Sequence, residues 1–403
     1  MIPCRAMQLA RRAQRMAESA TVGMTRRAAE LRAAGRDIVD LSAGQPDFPS
    51  PPVAVEAARQ ALADGFTHYT VAAGIPDLRN ALAERYHRRY GSPWELPNTL
   101  VTVGAKSALW QLTLALLDEG TSAVYPTPAW VSFPEQMRFA GAEPIPVPMD
   151  AADGFSIRAE PLIDALRPST RMVLVNSPCN PTGGTIEASE LRRLAEACAE
   201  RDIVLLNDET YEYFVYEGQT HASAASLAEE FPNTVAVVSS FSKTYAMTGW
   251  RIGWAMGPRA LIDKAAAIQG HATSNPTSFA MVGALAALRH ADDDVVRMIR
   301  AFEERRDLIV TALDALPGFE CHRPHGAFYA FPDVSQLLGN RTPASEGRSL
   351  DLAEQILEEA GVALVPGLAF GDDRYLRLSF ASDRRTLQNG IARLRRFVDA
   401  LAS

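Results

Sequence analysis

The most specific chemical signal in the chain is Lys243. It is one of only three lysines, with Lys106 and Lys264, in a chain of 403 residues whose basic charge otherwise comes from arginine. A guanidinium does not deprotonate, whereas a lysine amine can be tuned to attack a carbonyl and form a Schiff base. A lysine kept in so lysine-poor a chain is therefore a candidate nucleophile and base. Codon bias toward arginine accounts for the scarcity of lysines but not for which ones remain. Lys243 lies in SSFSKTYAMTGWRIGW, with Ser240, Ser242 and Thr244 around the amine and Arg251 eight residues on. By itself such a residue also fits an ordinary surface loop.

Three further clusters could do chemistry. Asp208 ends an apolar run in NDETYE. A carboxylate at the carboxyl end of a buried parallel strand points into the crevice where open α/β sheets bind ligands, although a turn or helix-capping aspartate has the same local sequence. NSPCNPTGG, residues 176–184, is a rigid turn-rich loop after another apolar run. GAKS, residues 104–107, sits where a strand turns into a helix, and free N–H groups at a helix start form an anion site. It is not a Walker A loop, because Ala105 replaces the glycine before the lysine. Cys179 has no recognisable base partner and reads as a spectator. The four cysteines are scattered without a CxxC pair, and His322 and His325 flank a turn, so no metal site is expected.

The elements that would position these residues are strands at Leu100–Val103, Ser122–Tyr125, Glu143–Val147, Met172–Asn176, Ile203–Asn207, Val235–Ser239 and Ile252–Met256. Helices are predicted at Ser107–Leu117, Val131–Phe139, Ala159–Leu166, Glu187–Glu200 and Pro258–Gln269. Strands apolar on both faces and joined through helices imply a mostly parallel sheet covered by helices on both faces. The strand at Ile252 follows another without a helix between them and is the candidate antiparallel member. After it come a long amphipathic helix (Asp292–Leu316), short strands at Ala327–Phe331, Val362–Val365 and Tyr375–Phe380, and a closing helix from Arg384 to Leu401. That is a smaller α+β domain, on which a helix and a strand ending at Leu41 should pack. The predicted division is a large α/β domain at residues 50–290 and a small domain from 1–49 and 291–403, with Gly339–Ser349 as a surface loop.

The net charge of −8 argues against a nucleic-acid partner. No apolar run approaches the roughly 20 residues that span a bilayer, and the basic N-terminal run lacks the apolar core of a secretory signal. A cytoplasmic protein without nucleic-acid or membrane partners is expected.

SKTYAMTGWRIGW is similar to the lysine signature of class I/II aminotransferases, the fold-type I enzymes that use pyridoxal 5′-phosphate (PLP). The resemblance implies that Lys243 forms the Schiff base with PLP and that Ser240 and Arg251 bind its phosphate. It implies that Asp208, not Glu209, pairs with the ring nitrogen, keeping it protonated so that the ring draws in carbanion electrons. Tyr211 would hydrogen-bond the ring hydroxyl oxygen. Asn180, in the family's NxPxNPTG motif, would do the same and would also meet the substrate. The backbone of Gly104 and Ala105, with the Lys106 N–H, falls to the phosphate, and Trp130 in TPAWVSFPE to stacking on the ring and facing the substrate. Tyr69 in HYTVAAGIPDLR and the pair Ser274-Asn275 match positions from which a partner subunit reaches the phosphate, implying a homodimer with shared sites. Arg377 in YLRLSF matches the arginine for the substrate α-carboxylate, and Gly44 in SAGQPDF a flexible glycine beside the substrate.

Within that family the pattern resembles the bacterial aspartate aminotransferase subgroup, some members of which also accept prephenate. There a lysine at the Lys106 position goes with acidic side chains, and Ser19 and Thr21 match positions near the substrate side chain. The expected Gly-Gly-Lys-Gln reads Gly104-Ala105-Lys106-Ser107 here. Lys106 therefore has two candidate partners, the cofactor phosphate and the distal carboxylate of a dicarboxylic substrate. The implied activity is transfer of an amino group from an L-amino acid, aspartate or another acidic donor, to a 2-oxo acid. Aromatic, prephenate-like or specialised biosynthetic substrates, or a β-lyase or decarboxylase on the same fold, are the alternatives. A regulator using the fold as an effector-binding module would need a further DNA-binding domain.

Overall fold

Alternate residues along each central strand feed two different cores. In the strand Thr170–Asn176, Met172 and Leu174 join one apolar cluster while Val173 and Val175 join another. In Val235–Ser240, Ala236 and Val238 face the first cluster, and Val235 and Val237 the second. A strand with both faces apolar has no face to give to solvent, so it must lie inside a three-layer arrangement. The computed structural model, which describes residues 7–14, 16, 20–339 and 348–401, has that arrangement.

The strands Thr99–Thr102 (β1), Ser122–Thr127 (β2), Glu143–Pro148 (β3), Thr170–Asn176 (β4), Val204–Asp208 (β5), Val235–Ser240 (β6) and Gly253–Met256 (β7) form one sheet. Its order is β1-β7-β6-β5-β4-β2-β3. The pairs from β6 through β3 are parallel, and β7 runs antiparallel to both of its neighbours. Helices Ala105–Leu116, Ser132–Phe139 and Arg259–Ala272 contribute to the cluster on one face, and helices Pro76–Tyr90, Ala188–Ala199 and Ser278–His290 to that on the other.

The reversed direction of β7 has a positional result. Gly253, its first residue, pairs with both Thr102 and Ser240, at the ends of β1 and β6. The approach to β7 therefore lies at the same sheet edge as the carboxyl ends of the parallel strands, the edge where such sheets bind ligands.

The chain ends build a smaller unit. Val39–Asp40 pairs in parallel with Val362–Ala363, and Val365–Pro366, Leu376–Ser379 and Tyr329–Ala330 form an antiparallel sheet. The predicted strand Val362–Val365 is thus two strands that change partner at Leu364, because one end faces the N-terminal strand and the other faces Leu376. Helices Asp292–Asp314 and Arg384–Leu401 cover this unit, whose core centres on Phe302, Phe328, Leu378 and Leu394. Tyr211 and Phe214, from the segment after β5, enter the same core and join the two units. Of the predicted loop at Gly339–Ser349, residues 340–347 lie outside the described residues, and Arg348 already starts the helix Arg348–Gln355.

Trp254 is fully buried in β7, edge-on to Phe241 at 5.2 Å and donating from Nε1 to the Tyr86 hydroxyl at 3.3 Å. Trp254→Ala should cost about 3–5 kcal/mol, read as a lower denaturant midpoint. An unchanged midpoint would contradict this packing.

Candidate active site

Five strand ends and one strand start converge on a cavity of about 340 Å³. After β1 come Ala105 and Lys106, after β4 come Asn176 and Asn180, β5 ends on Asp208, and β6 leads to Ser240 and Lys243. Arg251 arrives just ahead of β7, Trp130 from the turn after β2, and Gly44, Tyr329 and Arg377 from the small unit.

The helix Ala105–Leu116 begins at Gly104, which has φ 77° and no side-chain cap. Its first N–H groups therefore lack the partners that a capping side chain supplies. A Cβ on Gly104 would stand 2.5 Å from an Arg251 Nη, and one on Gly253 would stand 2.5 Å from the Ala105 N. Glycine at both positions lets the guanidinium lie against the bare helix start. Ser240, 1% exposed, lines the same wall. A helix start, a guanidinium and a hydroxyl in one wall make a phosphate cradle.

Asp208 is held at one oxygen. Its Oδ1 accepts from the Thr210 N–H at 3.1 Å and the Thr210 hydroxyl at 2.6 Å. Burial pushes its carboxyl up to about 6; the Thr210 hydrogen bonds pull the other way, Glu209 adds to the rise and Lys243 opposes it. A carboxylate destabilised in this way is stabilised by a cation at the cavity. Asn176 ties the loops together: its Nδ2 donates to the Asp208 carbonyl at 3.0 Å and its Oδ1 accepts from the Asn180 N–H at 2.9 Å.

The Lys243 amine donates to the Gly44 carbonyl. Burial lowers it to about 7, helped by the like charges of Arg377, Arg251 and Lys106 and opposed only by Asp208. The amine is therefore close to half neutral at neutral pH, the state a nucleophile or general base requires.

Arg377 is 2% exposed and donates to the Asn180 Oδ1 at 3.0 Å and to the Ser42 carbonyl at 2.7 Å. Its Nε is buried without a hydrogen-bond partner. Its guanidinium lies 4.4 Å over the Tyr329 ring and 5.0 Å over Phe370. The Lys106 ammonium sits 4.7 Å above the Trp130 ring, and partial burial and Arg251 lower its pKa. Among the described residues no ion pair joins Lys106, Lys243, Arg251 or Arg377 to a carboxylate. One cavity thus holds four basic groups against a single aspartate, and anionic ligands complete it.

Tyr329 was not among the residues singled out from sequence. Its hydroxyl meets that of Tyr211 at 2.8 Å, and a Cβ on Gly44 would stand 2.7 Å from it. Burial raises the Tyr211 phenol well above its ordinary value, so it stays a proton donor. Tyr69 is 89% exposed, and it lies outside the cavity wall, as do Ser274 and Asn275. Ser19 lies outside the described residues, and Thr21 falls on the helix Ala20–Ala33.

The residues present fit PLP: a phosphate cradle, an acid placed for a ring nitrogen, an aromatic side wall and a tuned amine. Residues 36–394 match the family described as aminotransferase class I and II. The chain is 40% identical over 399 residues to an aspartate aminotransferase of Geobacillus stearothermophilus, covering 98% of this chain and 100% of that protein. It is 40% identical over 395 residues to a probable aspartate/prephenate aminotransferase of Aquifex aeolicus, covering 98% and 99%. Among solved structures it superposes on the aspartate aminotransferase from Thermus thermophilus with maleate at a TM-score of 0.91 and 40% identity, over 97% of this chain and 100% of that one. The aspartate aminotransferase from Rhizobium meliloti gives a TM-score of 0.92 at 37% identity, over 98% and 99%. Fold, site and relatives together make this chain a member of the class I and II aminotransferases, a fold-type I PLP-family aminotransferase of the aspartate aminotransferase subfamily.

Proposed function

We propose that this enzyme binds PLP through Lys243 and moves the amino group of an acidic L-amino acid, aspartate foremost, to a 2-oxo acid by a ping-pong route. The observation that carries this reading is the surplus of basic groups around one aspartate. Arg251, with the bare helix start, accounts for a phosphate, and Arg377 for an α-carboxylate. Lys106 is a further cation in the same cavity, and a second substrate carboxylate accounts for it. The Thermus thermophilus relative was solved with maleate, a four-carbon dicarboxylate, which supports the same assignment.

Bound there, PLP supplies an electrophilic aldehyde and an electron-withdrawing pyridinium ring. Asp208 would pair with the ring nitrogen. Tyr211 and the Asn180 amide would donate to the ring oxygen, the Asn180 carbonyl oxygen being already taken by Arg377. Trp130 walls the ring. Arg377 fixes the substrate carboxylate, which directs the Cα–H bond toward Lys243. Once the substrate amine has taken its place on the cofactor, the freed Lys243 Nζ would be the base that takes the proton from the substrate Cα.

A second subunit completes the site in this reading. Tyr69 and the exposed apolar residues Val55, Leu62, Phe66 and Val71 would lie in that contact. Sedimentation should give a homodimer, and a monomer at micromolar concentration would remove this part of the proposal.

Three measurements test the chemistry. In cofactor-free protein, Lys243 should react with an amine-selective reagent with a midpoint near pH 7, reactivity falling as pH drops through 7; a midpoint near the ordinary lysine value of about 10.4 contradicts the tuning. Borohydride reduction of the PLP-loaded enzyme should fix the label at Lys243, and Lys243→Ala should abolish the visible absorbance and lower turnover at least ~100-fold. Lys106→Ala should lower kcat/KM for aspartate ~10–100-fold while leaving alanine nearly unchanged. Equal losses for both substrates would return Lys106 to the phosphate.

A further inference from the structure

Behind the cavity, the segment that carries Asp208 and Tyr211 also carries two carboxylates turned the other way. Glu209 and Glu212 are both 0% exposed. Their surroundings differ. Glu212 is paired with arginine: its Oε1 meets the Arg85 Nη2 at 2.6 Å, its Oε2 accepts from the Tyr90 hydroxyl at 2.8 Å, and Arg89 stands at 4.0 Å. Glu209 has no arginine or lysine in its ion pairs. It accepts from the Asn207 Nδ2 at 3.0 Å, from the Ser223 hydroxyl at 2.9 and 2.8 Å, and from the Ala224 N–H at 3.0 Å. All of these donors are neutral. The remaining neighbour, His221, places its buried Nε2 3.5 Å from the Glu209 Oε2 and forms no hydrogen bond through it.

This arrangement fixes backbone and charge together. The Glu209 N–H donates to the Val238 carbonyl, and the Glu209 carbonyl accepts from both the Ser239 hydroxyl and the Glu212 N–H. Glu209 is thereby locked to β6, the strand that leads to Lys243. Neutral donors satisfy a carboxylate without cancelling its charge, so its field is felt by its neighbours across a medium of low polarity. The titratable groups that feel Glu209 are Asp208 on its own segment and Tyr86 and Tyr90 on the helix Pro76–Tyr90, with His221 in direct contact.

We infer that Glu209 is a positioning residue with an electrostatic role: a second, buried negative charge behind Asp208 that strengthens the hold of this site on the protonated ring nitrogen of the cofactor. The inference rests on the PLP reading above. In that reading Asp208 touches the ring; Glu209 does not, and acts through Asp208 by adding its field to that of Asp208.

The test separates charge from packing with two variants of the holoenzyme. Glu209→Gln keeps size and removes the charge. Its PLP dissociation constant should rise roughly tenfold, and the pH titration of the bound cofactor's visible absorbance should shift to lower pH, with the melting temperature little changed. Glu209→Asp keeps the charge and shortens the side chain. It should lose melting temperature yet hold its PLP dissociation constant within about twofold of the parent and leave the absorbance titration in place. Parental affinity and titration in a folded Glu209→Gln would overturn the inference. If that variant does not fold, a Glu209→Asp enzyme that weakens PLP roughly tenfold would overturn it equally, since packing alone would then account for the residue. Absence of PLP binding by the parent protein would instead sink the functional reading on which this one stands.

Discussion

Like-charge crowding around one amine organises this molecule. Lys243 shares a small cavity with Lys106, Arg251 and Arg377, and Asp208 is the one carboxylate lining it. Burial and these neighbours bring the amine down to about 7. A lysine in water would be almost wholly protonated at that pH and useless as a nucleophile. The basic groups that lower its proton affinity are the same ones that the proposed function assigns to anionic ligands. Tuning and binding are therefore one arrangement, and a ligand that neutralises the cations also changes the amine.

The fold makes that crowding possible by topology. Parallel strands bring their carboxyl ends to one edge, so residues 104 to 243 meet there although they are far apart in sequence. The single reversed strand, β7, brings Arg251 to the same edge from the opposite chain direction. Glycines 104 and 253 permit the closest approach, since a methyl group at either would collide with Arg251 or with the helix start. Gly44, Tyr329 and Arg377 come from the smaller unit, so the substrate side of the cavity depends on how the chain ends pack against the sheet.

Much of this was legible in the sequence because its signals are local. Runs such as VLLND and VAVVSS are too short and too apolar for surface elements, and each central strand lies within a few residues of its predicted place. The helices that escaped have weaker patterns. Pro52–Ala63 and Ser278–His290 are rich in alanine and other small residues, which blurs the contrast between faces. Pro76–Tyr90 is crowded with charge, yet Arg85 is 4% exposed and pairs inward with Glu212, against the usual rule that arginine marks the solvent side. Its proline start and left-handed Gly91 end were the available signals. Tyr329 was illegible for a related reason: an aromatic in a short strand reads as core, and only the three-dimensional contact with Tyr211, Gly44 and Arg377 marks it as part of the site.

The alternating segment after β5 shows why burial, more than residue type, decides what a charged side chain does here. Asp208, Glu209 and Glu212 lie within five residues, all three buried. Asp208 faces the cavity and has only Thr210 to hold it, so it is left needing a cation. Glu212 has its cation in Arg85, which holds its carboxyl below the ordinary value despite burial, and it anchors the helix Pro76–Tyr90 to the sheet. Glu209 is satisfied by neutral donors. Removing one partner from a buried pair leaves an uncompensated charge, which is far costlier than losing an exposed ion pair such as Arg59 with Glu56. Three acids close together in sequence thus divide into one that faces the cavity, one paired with arginine and one held by neutral donors, and the division follows entirely from what stands opposite each one.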